Sequence, residues 1–204
     1  MIQQQLTELE QCLKEAHNPI LSYLDSGTPF NQAHFGQMLE LFNLTPNKEI
    51  IELYQWKPGL KKEHIYNPDF QYAIFNRGSH IEYTEMLNFY QRLVLGQKEV
   101  FENRFFPIIL MPGLDYGSPI LIDLAKRSKT YGQVFYYSPA TMILDPTPIY
   151  DSIGSMVETI IVCYQQECFT FSKEYFLLDW DSDKTFEISK KLNKKSNYWD
   201  SKDW

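Results

Sequence analysis

Apolar residues recur every three or four positions through much of the first hundred residues, the spacing that places side chains on one face of an α-helix. The N-terminal run comprises Ile2, Leu6, Leu9, Leu13, Ala16 and Ile20. This run predicts a helix that bends near Pro19. Similar runs predict helices at residues 35–42, 44–56 and 83–95, and turn signals predict a loop over residues 61–80.

The third of these predicted helices has clear signals at both ends. Thr45 is its predicted N-cap and Pro46 its first helical residue, where the missing N–H costs no hydrogen bond. Pro58 and Gly59 follow the last turn and prevent the helix from continuing. We therefore expect Trp56 to stand immediately before a rigid turn.

The pattern changes near the middle of the chain. Short apolar or alternating runs bounded by Pro, Gly and Asp predict β-strands at residues 104–110, 119–124, 132–138 and 141–144. A turn-rich stretch, "PGLDYGSP", is expected to join the first two strands as a hairpin, and a fifth helix is predicted at residues 148–166. Because helices come first and strands follow, the sequence predicts an α+β fold rather than alternating βαβ units.

No internal repeat or linker divides the chain. We therefore predict a single domain over residues 1–180, which includes an N-terminal helical extension. Residues 181–204 are polar and charged, and this composition predicts a mobile C-terminal tail.

The composition narrows the choice of compartment and partner. Hydrophobic residues make up 44% of the 204 residues, which is enough for one well-packed core. The formal net charge of −7 argues against nucleic acid and anionic membranes as partners and favours a basic protein. Three cysteines without framework spacing, together with the lack of a signal-peptide pattern, predict a cytoplasmic protein. The oligomeric state stays open.

The chain lacks the motifs of common catalytic sites, including the Walker loop, the dinucleotide-binding glycine motif, the nucleophile elbow and zinc-ligand spacings. Asp115 and Asp123 flank the first predicted hairpin, and a carboxylate pair there is one interpretation. Turns and strand ends select Asp for structural reasons, and that interpretation is preferred. A hydrolase with a dispersed site of Asp115, Asp123 and His80 is the alternative from the enzyme class. We predict no enzyme, no cofactor and no metal.

Several motifs follow one another in a recognisable order. The matching positions are Leu44, Pro46, Leu53, Tyr54 and Gly59 in a helix and turn, Tyr83 to Leu93 in a helix, Phe106 and Pro107 in a strand, Gly113, Asp115 and Asp123 around a hairpin, and Gly132 and Val134 in a strand. Together they resemble the SUKH superfamily, which includes bacterial immunity proteins and relatives of a fungal cell-wall-synthesis regulator. The resemblance covers residues 32–167, with two departures: Thr45 is inserted before Pro46, and Pro58 replaces the usual Asn before Gly59.

The resemblance implies an α+β fold with a mixed, mostly antiparallel sheet and packed helices. It also implies a bacterial immunity protein that binds and neutralises a cognate polymorphic toxin of the nuclease type, without catalysis. A regulatory or scaffold module of the same fold, which binds other proteins, is the alternative. Nuclease toxins need basic surfaces, so the acidic charge agrees with such a partner. The predicted contact residues are Trp56, Gly59, Asp115, Tyr116 and Asp123. For Trp56, a place at the end of the core is an equally good interpretation.

Overall fold

The computed structural model describes residues 2–67, 70, 72–96, 104–111, 118–172 and 177–200, without the side chains of residues 93–95, 172 and 177. The helices in this part of the chain are α1 Gln3–Glu15, α2 Ile20–Leu24, α3 Gln32–Glu40, α4 Lys48–Trp56, α5 Lys62–Ile65, α6 Tyr83–Gly96, α7 Ile153–Gln165 and α8 Ser182–Leu192. The strands are β1 Phe105–Ile109, β2 Ile120–Asp123, β3 Val134–Ser138, β4 Ile143–Tyr150, β5 Phe169–Ser172 and β6 Leu177–Trp180. Short 3₁₀ turns lie at Pro139–Thr141 and Tyr198–Asp200.

The predicted α+β class is confirmed. Strands β1 to β4 form one sheet in chain order, and β5 and β6 form a separate hairpin. All described strand pairs are antiparallel, because each strand is followed in the chain by its neighbour in the sheet. Parallel pairing is confined, within the described ranges, to one isolated bridge between Leu60 and Ile81.

The main core lies between one face of the four-stranded sheet and the helices. The sheet contributes Phe106, Ile122 and Val134 to this core, and α1 contributes the Leu6, Leu9 and Leu13 stripe that the sequence predicts. The opposite face of the sheet carries a smaller buried cluster of Phe105, Leu121, Phe135 and Tyr137. Successive residues of a strand point to opposite faces, so Phe105 and Phe106 enter different clusters.

Two predicted helix boundaries are wrong. Helix α4 is capped by Asn47, whose side-chain oxygen accepts a hydrogen bond from the Ile50 N–H at 2.9 Å. Thr45 lies two residues before this cap, where its N–H donates to the Leu124 carbonyl and its carbonyl accepts from the Tyr131 hydroxyl. The N-terminal run is broken rather than bent: His17 adopts a φ of +53°, and α2 starts as a separate helix after Pro19.

Within the predicted C-terminal tail, residues 182–200 contain helix α8 and a 3₁₀ turn. Asp181 caps α8 by accepting from the Lys184 N–H, and the side chains of Ile188 and Trp199 are buried. The Trp199 indole N–H donates to the Ile149 carbonyl at 2.6 Å, which ties the C-terminal turn to strand β4. A small number of apolar anchors is therefore sufficient to order a segment whose overall composition is polar.

Candidate functional site

Trp56 ends helix α4 and is partly exposed, as the sequence prediction allows. Its indole N–H donates to the Glu10 carboxylate at 3.1 Å, and its ring lies 5.9 Å from the His80 ring. This geometry is compatible with both alternatives for Trp56, and its contact with a partner stays a prediction. One side of the ring packs against the core, and the remainder is accessible to a partner.

The turn after Trp56 is held by ion pairs. The Lys57 ammonium lies 2.7 Å from the Asp25 carboxylate and 4.0 Å from that of Glu10. The side chain of Lys57 retains only 14% of its exposure, so these contacts restrict it more than a fully solvated pair would. The rigid turn predicted from Pro58 and Gly59 is thus fixed by charge as well as by backbone geometry.

Gly59 is buried and shapes the turn rather than presenting a contact surface. Its φ of +97° is a conformation that residues with a side chain rarely adopt. A Cβ atom at this position would lie 2.7 Å from the carbonyl carbon of Ile81. The Gly59 N–H donates to the Leu24 carbonyl at 2.9 Å, which joins the turn to helix α2. Gly59 therefore has a structural place in the turn, and its direct contact with a partner stays a prediction.

His80 lies behind this turn and is fully buried. Its Nε2–H donates to the Lys57 carbonyl at 3.0 Å, whereas Nδ1 has no hydrogen-bond partner among the described residues. Burial lowers the pKa of His80 from 6.5 to about 4. His80 is therefore neutral at pH 7, and it supports the turn from the inside.

Asp123 is also fully buried, at the end of strand β2. One carboxylate oxygen accepts from the hydroxyl groups of Ser128 and Thr130, each at 2.6 Å, and the other accepts from the Ala125 N–H. The Arg104 guanidinium lies 3.5 Å away. Asp123 therefore closes the connection between β2 and β3. Its side chain has no exposed surface, and its contact with a partner stays a prediction that this geometry does not favour.

The remaining predicted contacts, Asp115 and Tyr116, lie outside the described residues. The hydrolase alternative also stays a prediction. Its other two members lie in separate hydrogen-bond networks, since Asp123 accepts bonds from the β2–β3 connection and His80 donates to the Lys57 carbonyl in the Trp56 turn. Within the described part of the chain, no group of three His, Cys, Asp or Glu side chains is placed to hold a metal ion.

The cysteines are buried in the folded chain. Burial raises the pKa of the Cys163 thiol to about 12, and burial likewise raises the pKa values of Cys12 and Cys168. A thiol with such a pKa is protonated at pH 7 and is a poor nucleophile. These residues belong to the core, as the apolar face of the predicted fifth helix indicates for Cys163.

A surface that the sequence analysis missed lies where strand β4 begins. Met142 and Leu144 are 80% and 57% exposed, and the exposed carboxylate of Asp145 follows them. We name residues 142–145 the β4 edge. The sequence "TMIL" predicts a buried strand because all but one of its residues are apolar. The two prolines of "DPTP" directly after it were the available signal of an outer strand, since Pro cannot donate to a sheet ladder.

The outer position of β4 is a direct consequence of the sheet order β1-β2-β3-β4. The second half of the strand is covered, because the Ser196 hydroxyl and the Trp199 indole donate to the carbonyls of Pro148 and Ile149. The first half carries the exposed apolar residues. Exposed apolar side chains on an outer strand are a typical feature of protein-binding surfaces.

None of the described helices has the length and apolar character needed to cross a membrane. No protein-family model matches the chain, and no curated protein matches it significantly. The resemblance to the SUKH superfamily therefore stays a prediction from the order of its motifs.

Proposed function

We propose that this chain is an immunity protein that neutralises a cognate bacterial polymorphic toxin, of the nuclease type, by binding it stoichiometrically. The cytoplasmic location predicted from the sequence belongs to the same proposal. The motif order that resembles the SUKH superfamily supports it, and so does the net charge of −7. A nuclease must attract phosphate with basic residues, and an acidic inhibitor is drawn to the same surface.

The observation that carries the proposal is the exposed apolar pair Met142 and Leu144 beside Asp145. Apolar side chains contribute to affinity when binding removes them from water. A neighbouring carboxylate favours a basic partner by charge complementarity. Pro146 and Pro148 leave few N–H donors for an added strand, so side chains rather than backbone pairing should dominate the contact. Trp56 provides a second partly exposed contact on a rigid turn.

The test is co-expression with the C-terminal domain encoded by the adjacent upstream gene. That domain would be induced in a bacterial host with and without this chain, while growth is followed and the complex is purified. We expect the domain to stop growth, and this chain to restore growth and co-purify with it. A toxic domain that this chain neither neutralises nor binds would overturn the proposal and favour the regulatory or scaffold module.

A matched pair of surface variants tests the proposed contact. Leu144→Lys places a positive charge on the β4 edge, and Leu41→Lys makes the same change at the end of helix α3, where Leu41 is 73% exposed. We expect Leu144→Lys to weaken binding about tenfold or more, because it removes apolar contact and repels a basic partner. Leu41→Lys should bind like the unmodified chain. Equal affinity of both variants would remove the β4 edge from the interface.

A further inference from the structure

A cavity of about 700 Å³ lies between the C-terminal segment and the four-stranded sheet. Its wall includes Arg77, Tyr136, Tyr150, Trp180, Phe186 and Trp199. This volume is within the range of pockets that bind small organic molecules. Such a concentration of aromatic rings around one guanidinium is a specific chemical environment, and neither the sequence motifs nor the proposed function accounts for it.

The guanidinium of Arg77 is held in a fixed orientation. Its central carbon lies 4.2 Å from the Tyr136 ring centroid, and its Nη2 donates to the Tyr198 hydroxyl at 2.9 Å. Tyr150 lines the same cavity, and burial raises the pKa values of Tyr150 and Tyr198. These two hydroxyl groups are therefore neutral at pH 7 and leave the charge of the guanidinium uncancelled. The cavity wall therefore carries a permanent positive charge in a partly desolvated place.

The aromatic side chains are buried on one side of the cavity and exposed to solvent on the other. Trp199 is buried and packs edge-on against Phe186 at 6.0 Å, and its indole N–H is bonded to the Ile149 carbonyl. Trp180, on the same cavity, is 45% exposed. A large ring left in solvent beside a cavity gains contact area when a flat ligand enters.

Two carboxylates mark the open side of the cavity. Asp183 and Glu187 are exposed and stand one turn apart on helix α8. Their charge repels a small free anion such as phosphate, and their oxygens accept hydrogen bonds from N–H groups. A ligand that binds here must therefore carry an aromatic ring as well as an anionic group, so that ring contacts offset this repulsion. N–H groups on the ring would donate hydrogen bonds to the two carboxylates.

We propose that this cavity binds a small molecule that carries an anionic group on a flat, N–H-bearing aromatic ring. The anionic group faces Arg77, the ring packs against Trp180 and Phe186, and the ring N–H groups face Asp183 and Glu187. Two sources of such a ligand, the aromatic carboxylates and the nucleoside monophosphates, share this chemistry. Binding of the ligand is separate from the contact at the β4 edge, since the cavity wall contains none of residues 142–145.

Titration calorimetry on the full chain, with three probes of each source, tests the proposal. The ring anions are indole-3-acetate and guanosine 5′-monophosphate, their neutral counterparts are indole-3-ethanol and guanosine, and their ringless counterparts are acetate and inorganic phosphate. We expect at least one ring anion to bind about tenfold or more tightly than both of its counterparts, and the series that does so identifies the source. Absence of saturable binding by both ring anions, or equal binding of the neutral counterparts, would overturn the proposal.

Variants locate the binding in the cavity. Arg77→Met should remove the preference for the anion over its neutral counterpart, whereas the control Lys62→Met, on helix α5, should keep it. Because Arg77 packs against other side chains, its replacement also affects stability, so Trp180→Ala provides a second test at an exposed position. We expect Trp180→Ala to weaken the ring anion about fivefold or more and Tyr66→Ala, at 44% exposure, to leave it unchanged. Unchanged binding in Trp180→Ala would place the ligand elsewhere.

Discussion

Gly59 is the residue on which the shape of the Trp56 turn depends most. Gly59→Ala should lower the free energy of unfolding by about 3 kcal/mol, because the Cβ meets the Ile81 and Glu82 backbones and the φ of +97° is strained. Denaturant unfolding measures this change. Gly36→Ala is the matched control: its Cβ meets nothing within 4 Å inside helix α3, so stability should rise by about 0.5–1 kcal/mol. Equal effects of the two variants would contradict this role of Gly59.

His80 should make stability depend on pH between its two pKa values. In the unfolded chain its pKa is near 6.5, and in the folded chain it is about 4, so the unfolded state binds the extra proton in this interval. The contribution of His80 is thus fully present above pH 6.5 and is lost as the pH falls to 4. The loss amounts to about 3 kcal/mol.

The measurement is the free energy of unfolding at pH 7, 6, 5 and 4 for the unmodified chain and for His80→Leu. The variant is less stable at pH 7, since it loses the hydrogen bond to the Lys57 carbonyl. Its stability should nevertheless change less with pH than that of the unmodified chain. Parallel pH profiles for the two proteins would show that His80 is not the titrating group.

At the residue scale, the sequence predicts contact residues but not how deeply they are buried. Trp56 is partly exposed, whereas Gly59 and Asp123 are buried. A motif indicates a type of local geometry, and the same Gly or Asp can shape a turn or contact a partner. Only the packing of distant residues, such as Ile81 against Gly59, decides between these roles.

At the scale of elements, the C-terminal segment is the clearest case in which a few residues order a polar stretch. Trp199→Ala should lower the free energy of unfolding by about 3–5 kcal/mol, because it leaves a cavity and removes the bond to the Ile149 carbonyl. Trp180→Ala, at an exposed position, should cost less than about 1 kcal/mol. Thermal or denaturant unfolding measures both, and a small effect of Trp199→Ala would return residues 181–200 to the predicted mobile tail.

Periodicity located most helices and strands within a few residues of their observed bounds. It failed where tertiary contacts decide, as at α4, where Asn47 rather than Thr45 caps the helix and the Thr45 backbone bonds to Leu124 and Tyr131 instead. It also failed for the C-terminal helix α8, whose buried side chains are mainly small or polar, as in Thr185 and Ser189. The sequence analysis missed the β4 edge because a run of apolar residues alone does not distinguish a central strand from an outer one.

At the scale of the whole molecule, the charge of −7 should control how fast a basic partner associates. We expect the association rate constant to fall about tenfold or more between 0.05 and 0.5 M salt, while the dissociation rate changes less. Stopped-flow mixing of the purified chain with its co-expressed partner measures both rates. An association rate that does not respond to salt would mean that the acidic surface is unrelated to recognition.

The central claim is that the chain acts by stoichiometric binding, and an activity titration tests it most directly. The purified toxin domain would be held at a fixed concentration well above the dissociation constant, and its residual nuclease activity measured against increasing amounts of this chain. The account predicts a linear loss of activity that ends at an equimolar ratio, with the toxin recovered intact from the complex. Complete loss of activity when this chain is present at only a small fraction of the toxin concentration would indicate turnover and contradict the account. Unchanged activity when this chain is in molar excess over the toxin would also contradict it.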